Sequence, residues 1–104
     1  MTAVMIYVTA SGEEEARKIG RALVEQRLAA CANVLPGVTS IYWWQGKVEE
    51  GPEASLILKT TADKVEALTA RVRELHSYAM PCVVALPISG GNPDFFTWIE
   101  TETR

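Results

Sequence analysis

The chain is poor in the residues that most reactions and most metal sites require. It holds one histidine, His76, and two cysteines, Cys31 and Cys82, among 104 residues. The cysteines stand far apart and share no C-x-x-C spacing, which argues against a disulfide scaffold and suits two thiols in a reducing compartment. With one histidine and no serine motif, no set of nucleophile, base and orienting group can be assembled, so no enzyme activity is expected. Gly90-Gly91 is not followed by a helix bearing a lysine, which excludes a phosphate-cradling loop. Ten basic residues against thirteen acidic ones give a net charge of -3. No Lys/Arg cluster breaks that balance, so a nucleic-acid backbone would find no electrostatic footprint. No apolar run approaches the roughly 18 residues of a membrane span. No basic segment followed by an apolar stretch opens the chain, and a cytoplasmic location is expected.

Apolar residues make up 48 % of the chain, enough for a core in a single small domain spanning residues 1–104. The densest feature is Ser40-Ile41-Tyr42-Trp43-Trp44-Gln45-Gly46-Lys47. Two β-prone runs flank the polar pair Gln45-Gly46, which is how a hairpin is written in sequence. Side chains alternate along a strand, so three consecutive aromatics cannot share a face. If Trp43 faces the domain's own core, Tyr42 and Trp44 face away and need a cover.

Residues 3 to 9 form a nearly continuous apolar run of strand length, with Val4, Ile6 and Val8 alternating with Met5 and Tyr7, and both faces look buried. Ser11 with Glu14 three residues on fits a capping box. Glu13, Glu14 and Glu15 then suit the positive end of a helix dipole. That helix carries Ala16, Ile19, Leu23 and Val24 on one stripe and should end near Arg27-Leu28. Pro36-Gly37 predicts a bulge or bend in the second strand. A third strand covers about Ala54 to Thr60, and a second helix about Ala62 to Leu75, capped by Thr61 or Asp63. A short strand within Pro81 to Ile88 and a docking helix from Asp94 to Thr101 complete the chain. The order β-α-β-β-α-β is the α+β, ferredoxin-like arrangement, with two helices on one face of a four-stranded antiparallel sheet. The other face is bare in a monomer although several strands are apolar on both sides. Such a face marks an association surface.

These residues resemble the CutA divalent-cation tolerance family. The resemblance is carried by Leu28-Ala29-Ala30-Cys31-Ala32-Asn33, by Pro36-Gly37-Val38-Thr39 running on through Ser40 to Lys47, by Leu58-Lys59-Thr60-Thr61, by Leu75-His76-Ser77-Tyr78 with Pro81, and by Asn92 and Trp98. It covers nearly the whole chain in order. It implies a compact homotrimer whose extended β2–β3 hairpins join sheets across subunits, which would cover Tyr42 and Trp44. It further implies tolerance of copper or other divalent cations, without a settled reaction. The architecture is similar to that of PII signalling proteins, which bind small ligands between subunits. The alternative function is therefore a PII-like sensor that takes a small anion in an intersubunit cleft and signals to a protein partner.

His76 is the candidate metal ligand, since imidazole binds copper and zinc and is neutral enough at pH 7. Its competing role is at the second helix's C-terminus, interacting with the last carbonyls. Some family members carry a cysteine and a second histidine where this chain has Val8 and Leu75, and Cys82 offers a replacement soft ligand. Trp44, Lys59 and Tyr78 are candidates for the intersubunit cleft, with interface packing or a solvated strand charge as their plain alternatives. Glu49, Glu50 and Glu53 would attract cations as hard oxygen donors or form a solvated acidic turn. Cys31, after two alanines, is expected in the core.

Overall fold

The computed structural model describes residues 2–104. In chain order it contains β1 (Ala3–Ala10), α1 (Glu13–Glu25), β2 (Cys31–Trp44), β3 (Lys47–Thr61), a 3-10 turn (Ala62–Lys64), α2 (Val65–Leu75), β4 (Val83–Pro87) and α3 (Pro93–Glu102). The strands form one sheet in the order β2-β3-β1-β4, antiparallel at every pairing. This is the expected α+β layout, with the third helix closing the chain.

Period-two alternation sorts β1 between two environments. Val4, Ile6, Val8 and Ala10 are buried, whereas Met5 and Tyr7 are only half-buried, so the expectation of burial on both faces does not hold in the single chain. Ile6 pairs with Leu58 and Val8 with Leu56, which puts all four on one face. There they meet Ala16, Ile19 and Leu23 of α1 and Leu68 and Val72 of α2 in a common core, so both helices cover the same side. Full burial of each such side chain contributes about 1.5–3 kcal/mol. Met5, Tyr7, Ile57, Val84 and Leu86 occupy the opposite side by the same register.

The helix ends depart from the expected caps. Gly12, not Ser11, is the N-cap of α1 and no side chain caps it. Ser11 instead donates its backbone N–H to Glu15 Oε1 at 2.9 Å, because that carboxylate folds back over the first turn. At the other end Arg27 takes a left-handed φ of 59°, and the Leu28 N–H returns to the Leu23 carbonyl. This is the backbone path of a helix C-terminus usually given to glycine. The Arg27 guanidinium reaches the Glu102 carbonyl and carboxylate, anchoring the end of α3. Ahead of α2, Thr61 donates to Asp63 rather than capping the backbone.

The β2–β3 hairpin outruns the sheet. β1 pairs with β3 only over Ala54–Thr61, whereas β2 stays paired with β3 from Lys59 down to Lys47. Residues 38–44 and 47–53 therefore form a two-stranded arm. At its root the register slips between Leu35 and Val38, as Pro36-Gly37 predicts: Gly37 has φ 78°, and proline lacks the N–H for the ladder. At its tip Gln45 and Gly46 have φ 50° and 80°, the two-residue turn that matches the right-handed twist of the strands.

Leu58 is fully buried between the helices and the sheet. Leu58→Ala should destabilise the chain by about 2–5 kcal/mol in urea or thermal unfolding. A loss below about 1 kcal/mol would show that the core does not sit where this register puts it.

Candidate functional site

Two features converge where β1 ends: a polar hub around His76 and a cleft beside the arm. His76 follows the last residue of α2, and its N–H closes that helix on the Val72 carbonyl. The ring then turns away from the helix. Its Nε2 lies 2.7 Å from the Thr9 carbonyl oxygen, and its Nδ1 is 3.0 Å from the backbone N–H of Tyr78. A carbonyl only accepts and an amide N–H only donates, so the network assigns the neutral Nε2–H tautomer. Both nitrogens are thereby engaged, and the side chain is fully buried.

Glu15 supports this arrangement from α1. Its carboxylate accepts the backbone N–H groups of Ser11 at 2.9 Å and Ser77 at 2.8 Å, and lies 3.8 Å from His76 Nδ1. Burial pushes its pKa up, but hydrogen bonds from the backbone and side chains of Ser11 and Ser77 outweigh that and hold it at about 2 rather than 4.5. One carboxylate so ties the α1 start to the segment after α2.

That segment forms one wall of a cleft of about 720 Å³, and the arm forms the other. Tyr78 stacks at a tilt on His76, with ring centroids 4.6 Å apart, and its hydroxyl donates to Glu53 Oε2 at 2.7 Å. Burial first, then the bond to Glu53 and nearby negative charge, push the phenol up to about 12. Tyr42, Trp44, Met80 and Cys82 also line the cleft. Ile41 and Trp43 border the cleft as well, and strand register accounts for Tyr42, Trp44 and Glu53 lying together. Val38 pairs with Glu53 and Tyr42 with Glu49, so the even-numbered side chains of β2 share a face with Glu53.

The expected residues are thus divided. Trp44 and Tyr78 line the same cleft, and Cys82 joins them. Lys59 does not: it pairs with Cys31 near the far end of β3, and its Nζ donates to Asn33 Oδ1 at 2.6 Å. Glu49 and Glu50 are exposed on the arm. Cys31 is half-buried at the start of β2 rather than in the core, since that strand is a sheet edge. Trp43 does not face the domain's own core either. It is 75 % exposed, against 47 % for both Tyr42 and Trp44, because the arm extends past the layer that would have covered it. Glu53, expected as a cation-attracting or solvated acid of the turn, instead lines the cleft and accepts from Tyr78, and sequence alone assigns Glu15, Thr9 and Met80 no part in the site. Glu15 resembled an ordinary dipole-matching charge, and nothing local points a carboxylate at a segment sixty residues away.

Comparison with known proteins fits this geometry. The family model for the CutA1 divalent ion tolerance protein matches residues 4–102. The chain belongs to the CutA1 divalent ion tolerance family. It is 48 % identical over 99 residues to the divalent-cation tolerance protein CutA of Thermus thermophilus, covering 95 % of this chain and 96 % of that protein. A solved structure from that organism superposes with a TM-score of 0.96 at 47 % identity, covering 98 % of this chain and 99 % of the other. The rice chloroplastic protein CutA 1 is 41 % identical over 97 % of this chain, and the chain spans 57 % of that relative's length. It likewise spans 55 % of the mouse protein CutA. A CutA from Archaeoglobus fulgidus, described as periplasmic, has a TM-score of 0.95 at 39 % identity, covering 98 % and 99 %. Among the described residues no helix is long and apolar enough to cross a membrane.

The family's name raises the question of a cation, and one chain's donors do not fit a resident one. Among the described residues no three of His, Cys, Asp and Glu gather as a metal cluster. A metal at His76 would have to displace its bond to Thr9 or to Tyr78.

The depressed Glu15 pKa gives the hub a pH signature. An unfolded carboxyl titrates near 4.5 and the folded one at about 2. The contribution is complete above 4.5 and disappears as the pH falls toward 2, a loss of about 2–3 kcal/mol. Urea unfolding of wild type and Glu15→Gln should therefore show a stability gap at pH 6 that closes by pH 2. A gap that stays constant with pH would mean that the charge of Glu15 does not hold the hub.

Proposed function

We propose that the chain acts as a homotrimeric divalent-cation tolerance protein, a metal-associated binding and regulatory protein without catalysis of its own, with copper as its cation. The observation that carries the assembly is the arm. An isolated two-stranded ribbon is marginal in water. This one bears Ile41, Trp43 and, paired opposite Trp43, Val48 on one face at 66, 75 and 57 % exposure. Contiguous apolar surface of that kind calls for a partner, and a second copy supplies the same surface. The bare sheet face around Val84 and Leu86 adds a second patch.

The metal is an effector or cargo on this reading rather than a structural ion, because each chain brings too few donors. Cys82 is an exposed, unpaired thiol at the cleft and, with the Met80 thioether, is a soft donor available there. His76 would join it only by exchanging a hub bond, and neighbouring copies would complete the set. Two unpaired cysteines suit a reducing compartment, and we place the protein in the cytoplasm. The alternative of a PII-like anion sensor draws less support. Glu53 is the charged side chain of the cleft, and Lys59 lies elsewhere.

Native mass spectrometry with and without Cu(II) tests both parts. Wild type should appear as a trimer that takes up a fixed number of coppers. Trp43→Glu should shift the protein to monomer. Cys82→Ser and His76→Ala should leave the trimer and lose the copper. A wild-type monomer at micromolar concentration would sink the assembly, and unchanged uptake in both variants would sink the site.

A further inference from the structure

The cleft's composition selects a class of small molecule. Its lining includes no lysine, arginine or histidine, and its one charged group is the Glu53 carboxylate. Among the described residues Glu53 has no cationic partner; its contact is the Tyr78 hydroxyl. Beside that carboxylate stand the rings of Tyr42, Trp44 and Tyr78, with the polarisable side chains of Met80 and Cys82. A volume of about 720 Å³ is that of a small-molecule site.

We propose that this cleft binds a small organic ammonium ion, held over the aromatic faces with Glu53 as its counter-charge. An anion would meet a carboxylate that no cation neutralises and the negative faces of the rings. A hard divalent cation would require several oxygen ligands, and the cleft offers one carboxylate. A weakly hydrated alkylammonium suits both features at once, since ring faces attract cations that shed water readily. The hub gives the site its shape: His76 Nδ1 and the carboxylate of Glu15 hold the backbone at Ser77 and Tyr78, so the Tyr78 ring is placed before any ligand arrives. Ile41 and Trp43 of the arm border the same cleft, and the inference does not depend on metal binding.

The test is a titration of the intact protein, in whatever assembly it forms, with tetramethylammonium chloride at constant ionic strength, followed by tryptophan fluorescence. A saturable change is expected, with 2,2-dimethylpropan-1-ol, a neutral molecule of similar shape, binding at least about fivefold more weakly. Sodium acetate should give no response. Glu53→Gln and, as a second variant, Trp44→Leu should each weaken the ammonium about five- to tenfold while far-UV circular dichroism stays unchanged. The proposal is overturned by an absence of saturation, by equal affinity for the neutral alcohol, or by full affinity in both variants.

Discussion

The mismatch in strand length governs the rest of the molecule. β1 is eight residues long and the strands of the hairpin are fourteen and fifteen. The helices can cover only what β1 and the neighbouring part of β3 support. Residues 38–44 of β2 and 47–53 of β3 are therefore a ribbon that the helices do not cover. Its aromatic content would be costly on a monomer, and the local geometry makes the ribbon well formed all the same. The turn at Gln45-Gly46 has the favoured twist, and the bulge at Pro36-Gly37 bends the strand where the layered part stops.

The second organising element joins that ribbon back to the body. The Glu15 carboxylate gathers the backbone of Ser11 and Ser77, His76 bridges Thr9 to Tyr78, and Tyr78 reaches Glu53 at the base of the arm. Three elements distant in sequence are connected through few side chains, and no buried side-chain polar atom among the described residues is left without a partner. A fully satisfied polar network of this kind fixes geometry more firmly than its separate bonds would suggest. The lone histidine thus has a structural task that consumes both of its nitrogens.

Much of this was legible from residue order. The alternation in Val4, Ile6 and Val8, the stripe of Ala16, Ile19 and Leu23, and the Gln45-Gly46 turn are local signals, and the structure follows them. The bulge was legible for the same reason. What was not legible depends on where elements end relative to one another. Trp43 looked like an inward residue because alternation says which side chains share a face but not whether anything lies against that face. The cleft partnership of Glu53 with Tyr78 spans twenty-five residues and two elements. Lys59 could be assigned to the polar phase of its strand but not to its distance from Trp44. Residue spacing gives faces; only the assembled register gives neighbours.

Among the described residues the subunit gathers no metal cluster, and its donor chemistry explains why. The sheet core is aliphatic, the histidine is committed to the hub, and the two thiols lie at opposite ends of the sheet, with Cys31 paired to Lys59 and Cys82 at the cleft. Soft ions need two or more sulfur or nitrogen ligands at once. In a symmetric assembly a single donor recurs in every copy, so one exposed thiol per chain becomes a repeated set wherever the symmetry brings the copies together. The same arm whose apolar face demands a neighbour stands beside Cys82, Tyr78 and Glu53. On the proposed reading, assembly and ligand chemistry meet at one place, and the length of the hairpin sets both.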